Sequence, residues 1–317
     1  MAIKHRQTIN RSAATGLLLT GFVFGAGLFL LLGFGEDDRR QQNAAANQAE
    51  AGKWRLPAAP QQIDFAGEKV PVERWDVKEQ LEREILVNYY MPANILYLQR
   101  LSGRYFPLIE AQLKANDIPD DFKYLCVAES NLQNLVSKAQ ATGFWQFMKG
   151  TAPGYALEVN ENVDERYHVE KSTAAACKYL RMAYQRFGNW TAAAAAYNCG
   201  MGGYGSRASF QGTNYYYDLV LPEETQRYIF RILAFKYLLV NADSLGFSLA
   251  NGERFTPVKT RTVTVNRSVP NLHLFAKEQG TNYKMIKLLN PWLRGRSLPA
   301  AYGKEYKILM PDSSAIR

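Results

Sequence analysis

Apolar spacing divides the 317 residues into four stretches of different character. From Ser12 to Gly35 no charged residue occurs. As a helix rising about 1.5 Å per residue, this run spans ~36 Å, enough for a ~30 Å hydrocarbon core. Lys4, Arg6 and Arg11 precede it, which predicts a cytoplasmic tip with the rest of the chain outside. The run ends in Glu36-Asp37-Asp38-Arg39-Arg40, a poor cleavage context, so residues 1–35 read as a retained anchor. A cleaved signal peptide is the competing reading. Residues 36–76, rich in Gln, Asn, Ala and Pro at first, read as a linker.

Helical periodicity starts at Val77. Leu81, Ile85, Leu86 and Tyr89 share one face, and a second apolar series runs from Leu96 through Leu98, Leu101, Phe106 and Ile109 to Leu113. Ile118-Pro119-Asp120-Asp121 reads as a helix start, with proline and acids in the first turn. Further helices are expected at 169–187, 190–198 and 222–241, and no strand pair is expected before residue 255. Residues 77–250 therefore read as an all-α domain. After Asn251-Gly252 the period changes. "VKTRTVTV" alternates and is β-branched, "NLHLFAKEQG" and "NYKMIKLLNP" read as short helices, and "EYKILMP" reads as a closing strand. Residues 255–317 are expected to form a separate β-α-α-β module.

Charge and cysteine usage narrow the function classes. Net charge is +9, but no run of five Lys or Arg appears, so a nucleic-acid footprint is not indicated. Cys126, Cys177 and Cys199 form neither a disulfide framework nor a CxxC pair and read as small buried thiols. His5, His168 and His273 are scattered and suggest no metal site; no cofactor is expected either.

One position breaks the pattern. On the helix that follows Asp121, Phe122, Leu125, Cys126, Glu129 and Leu132 fall on one face, and Glu129 is the only polar member. No Lys or Arg stands three or four residues away. Desolvation and the nearby helix C-terminus both disfavour a carboxylate there, so a raised pKa is expected. Two readings stand on this pattern: a buried Glu satisfied by backbone groups, and a carboxyl kept partly protonated to act as a general acid. Downstream lie Ser137, then Gly143-Phe144-Trp145-Gln146-Phe147, then Ala196-Tyr197-Asn198-Cys199-Gly200, then Pro222-Glu223-Glu224-Thr225-Gln226-Arg227-Tyr228. Amides, hydroxyls and aromatic rings suit a sugar polymer, although core packing accounts equally well for Trp145 and Phe147.

Glu129-Ser130 with these pieces, in this order, resembles the lytic transglycosylase family over roughly residues 85–240. The resemblance implies a mainly α, lysozyme-like catalytic domain that cleaves the MurNAc–GlcNAc β-1,4 bond of peptidoglycan without water. It implies Glu129 as acid and then base, Tyr228 as the residue that orients it, and Ser130, Ser137, Gln146, Tyr197 and Asn198 as substrate-binding or orienting residues. Ser130 could instead cap its helix. The C-terminal stretch from about 258 to 312 resembles a LysM domain, a peptidoglycan-binding module, but "NRSVPNLHL" replaces the usual opening after the first strand. A packed appendage is the other reading of it. The partners implied are peptidoglycan glycan strands and, through the N-terminal helix, a membrane. A hydrolytic muramidase and a non-catalytic peptidoglycan scaffold are the competing functions.

Overall fold

The computed structural model describes residues 57–312, so the expected anchor and the first part of the linker lie outside the described residues. Among the described residues, no helix is long and apolar enough to cross a membrane. The fold is mainly α. The periodic stretches form α1 (Trp75–Tyr89), α2 (Pro92–Ala115), α3 (Phe122–Ser130), α4 (Val169–Phe187), α5 (Trp190–Cys199) and α7 (Glu223–Val240), close to the expected bounds. Local chemistry explains several ends. Pro92 stands at the start of α2, and Asn189 caps α5 by accepting from the Ala192 amide. Gly188 takes the left-handed conformation that closes α4.

Three features depart from expectation. First, α3 stops at Ser130, because Asn131 and Leu132 both adopt positive φ. Leu132 is therefore buried from a loop rather than from the helical stripe. Second, a further helix, α6 (Met201–Gln211), forms between the expected helices at 190–198 and 222–241, through three glycines. Tyr204 anchors it: its ring packs at 4.9 Å from Phe187 and its hydroxyl donates to the Asn214 carbonyl.

Third, residues 57–76 are not a linker. A two-residue hairpin forms there, β1 (Asp64–Phe65) against β2 (Glu68–Lys69), and Phe65 and Val70 enter the core. This hairpin ties three helices together. The Ala66 amide donates to Asp121 before α3, and Lys236 of α7 bonds both Asp64 and Asp121. Glu68 accepts the Trp190 and Thr191 amides and the Thr191 hydroxyl, which neutralises the N-terminus of α5. Strands this short carry no periodicity; long-range hydrogen bonds define them.

The core of the helical domain lies where α7 packs on α1, α3 and α5. Glu84 of α1 is buried there and pairs with Arg227 at 2.7 Å and Arg231 at 3.8 Å, both on α7. The C-terminal module has the expected order: β3 (Thr260–Val265), α8 (Leu272–Glu278), α9 (Tyr283–Leu289) and β4 (Tyr306–Pro311), with β3 and β4 antiparallel from Thr260 opposite Pro311 to Val265 opposite Tyr306. Its core is not self-contained. Val163 and Tyr167 of the helical domain are buried within it, and Val163 forms a β-bridge with Leu293.

Candidate active site

Glu129 sits in the last turn of α3, with Cys126 and Ser130 buried beside it. Its side chain keeps some accessible surface, yet protein crowds the carboxyl, and that burial pushes its pKa up to about 7. Two groups oppose the rise. Tyr228 donates its hydroxyl to Glu129 Oε1, and the Arg231 guanidinium acts from farther off, while Glu224 adds to the rise. Arg231 is held by Glu84 and by Glu224, at 2.9 Å, so its charge is largely committed elsewhere. None of these groups lies within four residues of Glu129 along the chain, which is why local spacing could not find them.

Tyr228 is buried on α7, and burial raises its own pKa well above the usual phenol value, so it stays a donor. With Oε1 engaged by Tyr228, Oε2 is the oxygen left to carry the acid's proton. A carboxyl with a pKa of about 7 is half protonated at neutral pH, as a general acid requires.

The remaining expected residues lie on two elements, the end of α5 and the loop after α3. α5 ends with Tyr197 and Asn198, both partly accessible. Asn198 Oδ1 accepts from the Thr225 hydroxyl at 2.8 Å, which fixes the amide and leaves its nitrogen as the donor end. Thr225 stands in the motif that carries Tyr228, but spacing alone gave it no role. Tyr197 donates to the Trp145 carbonyl at 2.7 Å, and its ring meets Trp145, Phe147 and Tyr179 edge-on.

The loop after α3 holds Ser137 and Gln146. Ser137 Oγ accepts the Ala141 amide at 3.0 Å, and Gln146 Nε2 donates to the Gly143 and Leu135 carbonyls. The glutamine's amide oxygen is then the end turned outward from these bonds. Gly143 has φ of +83°, and a Cβ there would land on the Arg166 carbonyl, so only glycine fits. Trp145 and Phe147 are core residues rather than sugar platforms: Trp145 is fully buried and its indole donates to Thr173.

Ser130 turns inward. It is buried and its hydroxyl donates to the Cys126 carbonyl one turn back, within α3. Among the described residues, no group of three or more His, Cys, Asp and Glu is placed to hold a metal ion.

The helical domain thus places one carboxyl at a helix end, bonds it to a buried tyrosine and holds two amides through defined hydrogen bonds. Comparisons with known families follow the same lines. Residues 106–216 match the Transglycosylase SLT domain, and residues 261–314 match the Soluble lytic transglycosylase C-terminal LysM-like domain. The chain thus carries a transglycosylase SLT domain followed by a LysM-like module. It is 27% identical over 322 aligned positions to membrane-bound lytic murein transglycosylase D of Escherichia coli strain K12, an alignment covering 90% of this chain and 67% of that protein. The protein of that name from Escherichia coli O6:H1 strain CFT073 matches with the same identity and coverage.

Proposed function

We propose that the protein is a peptidoglycan lytic transglycosylase in which Glu129 acts first as acid and then as base. The observation that carries this reading is the Glu129–Tyr228 pair: a carboxyl held near pKa 7 by burial, with one oxygen fixed, inside a transglycosylase SLT domain. Protonated Glu129 Oε2 donates to the glycosidic oxygen between MurNAc and GlcNAc. The C1–O bond breaks, and the MurNAc N-acetyl group stabilises the positive charge at C1. Glu129, now a carboxylate, takes the proton from the C6 hydroxyl of the same sugar. The C6 oxygen then closes on C1 and leaves a 1,6-anhydro end, with no water consumed.

In this scheme Asn198 and Gln146 bind sugar hydroxyls or the acetamide, Tyr197 shapes the wall beside them, and Ser137 lies at the loop edge. Residues 1–35 anchor the chain in the inner membrane, with the catalytic domain in the periplasm, consistent with the membrane-bound name of the E. coli relative. Replacing Glu129 by Gln keeps the shape and the acceptor for Tyr228 but removes the proton. Glu129→Gln should retain the wild-type circular dichroism and lose turnover of isolated sacculi by at least ~10³-fold, beyond the ~10²–10⁴-fold range's lower end for general acid catalysis. Turnover near the wild-type rate would remove Glu129 from the mechanism.

A further inference from the structure

The C-terminal module does more than follow the catalytic domain: its contacts converge on the segment that holds the active-site loop in place. That segment runs from Glu158 to Tyr167. The Asp164 amide donates to the Trp292 carbonyl at 2.8 Å, and the Arg294 amide donates to the Asn162 carbonyl at 2.7 Å. Glu158 pairs with Lys304 at 2.5 Å and accepts from the Tyr306 hydroxyl. The Arg294 guanidinium lies 4.2 Å over the Tyr167 ring.

From the same segment a second set of contacts reaches toward the site. The Asp164 carboxylate holds Arg166 through two bonds, at 2.9 and 2.7 Å. Arg166 is buried, and its Nη1 donates to the Gln140 and Phe147 carbonyls at 3.2 and 3.1 Å. Those carbonyls bracket the loop that carries Gly143, Trp145 and Gln146. Gly143 is pressed against the Arg166 backbone, and the Phe144 carbonyl accepts from Cys126 on α3, one turn before Glu129.

We propose that the docked module is a brace for the active-site loop, with Asp164 and Arg166 as positioning residues that transmit its contacts from Trp292 to Gln140 and Phe147. This rests on the transglycosylase reading for its kinetic consequence, but not for its structural one. A module that only captured glycan would raise affinity for long strands and leave the chemistry on a short substrate unchanged. A brace changes the chemical step whatever the substrate's length.

Gly295 offers the cleanest perturbation from the module side. Its φ lies outside the left-handed region, so its backbone accepts a side chain, but a Cβ there would run into the Asn162 side chain. Gly295→Val wedges the interface without touching any residue near Glu129. In the full-length protein, this variant should lower kcat about 10-fold on a short soluble peptidoglycan oligosaccharide, the scale of loss that sub-ångström to ångström misplacement produces. KM on the same substrate should rise by a smaller factor, because the loosened loop also carries Gln146.

Hydrogen exchange at the Thr142 and Gly143 amides, which donate to Phe147 and Leu135, should quicken at least about 10-fold, since the loop opens more often. Lys304→Met, which removes the ion pair to Glu158 and the cation over the Tyr306 ring, should move kcat and exchange the same way by a smaller factor. Unchanged kcat on the short substrate with raised KM on long strands would make the module a glycan tether and overturn the brace. Unchanged exchange in both variants would overturn it independently. If the wild-type protein turns over no peptidoglycan, the transglycosylase reading fails, and the exchange measurement still decides the brace.

Discussion

Glu129 shows how one residue's environment sets its chemistry. Burial raises its pKa, while the Tyr228 hydroxyl and Arg231 pull it back. Removing the hydroxyl should therefore raise the pKa further. Tyr228→Phe is expected to lose roughly 10–100-fold in kcat through poorer orientation, and to move the alkaline limb of kcat/KM above the wild-type value near 7. A limb shifted to lower pH would contradict the assignment. Stability has its own pH signature. The folded pKa is raised, so the stability associated with the neutral carboxyl is complete below about 4.5 and is lost as pH rises through about 7. Glu129→Gln escapes that loss. It should match the wild type near pH 4 and exceed it above pH 8 by roughly 3–4 kcal/mol, from ~1.4 kcal/mol per pKa unit, as read from urea unfolding at both pH values. Glu129 stood out along the chain, because one carboxylate interrupts an apolar stripe. The groups that set its electrostatic surroundings did not: Arg231 and its partner Glu84 come from other helices, and a search three or four residues away cannot meet them.

The elements were legible where periodicity ran uninterrupted and caps stood at the ends, as in α1, α2, α4, α5 and α7. They were not legible where non-local contacts decide. α6 forms despite Gly202, Gly203 and Gly205, because Tyr204 is buried against Phe187 and the Met201 amide is held by the Tyr179 hydroxyl. The hairpin at 64–69 looked like linker, yet its Glu68 is the anion at the N-terminus of α5, the helix that ends in Tyr197 and Asn198. Glu68→Ala should destabilise the protein by about 1–2 kcal/mol through loss of that cap. In the proposed scheme α5 carries sugar-binding groups rather than the acid, so the variant should also raise KM more than it lowers kcat. A melting temperature equal to wild type would show that the hairpin is incidental.

At the scale of the whole molecule, the order of helical domain and β-α-α-β module could be read from the change of period near residue 252. How the two meet could not. The contacts pair backbone groups of residues 158–167 with those of residues 292–295, and neither segment has a side-chain pattern that announces a partner. The same limit applies to the proposed reaction, which its product distinguishes. A transglycosylase and a hydrolase differ by one water molecule at the new end of the glycan. The decisive measurement is mass spectrometry of the fragments released from purified sacculi by the wild-type protein. The account predicts fragments one water lighter than hydrolysis products, ending in 1,6-anhydro-MurNAc, and their disappearance with Glu129→Gln. Fragments with reducing MurNAc ends would contradict it.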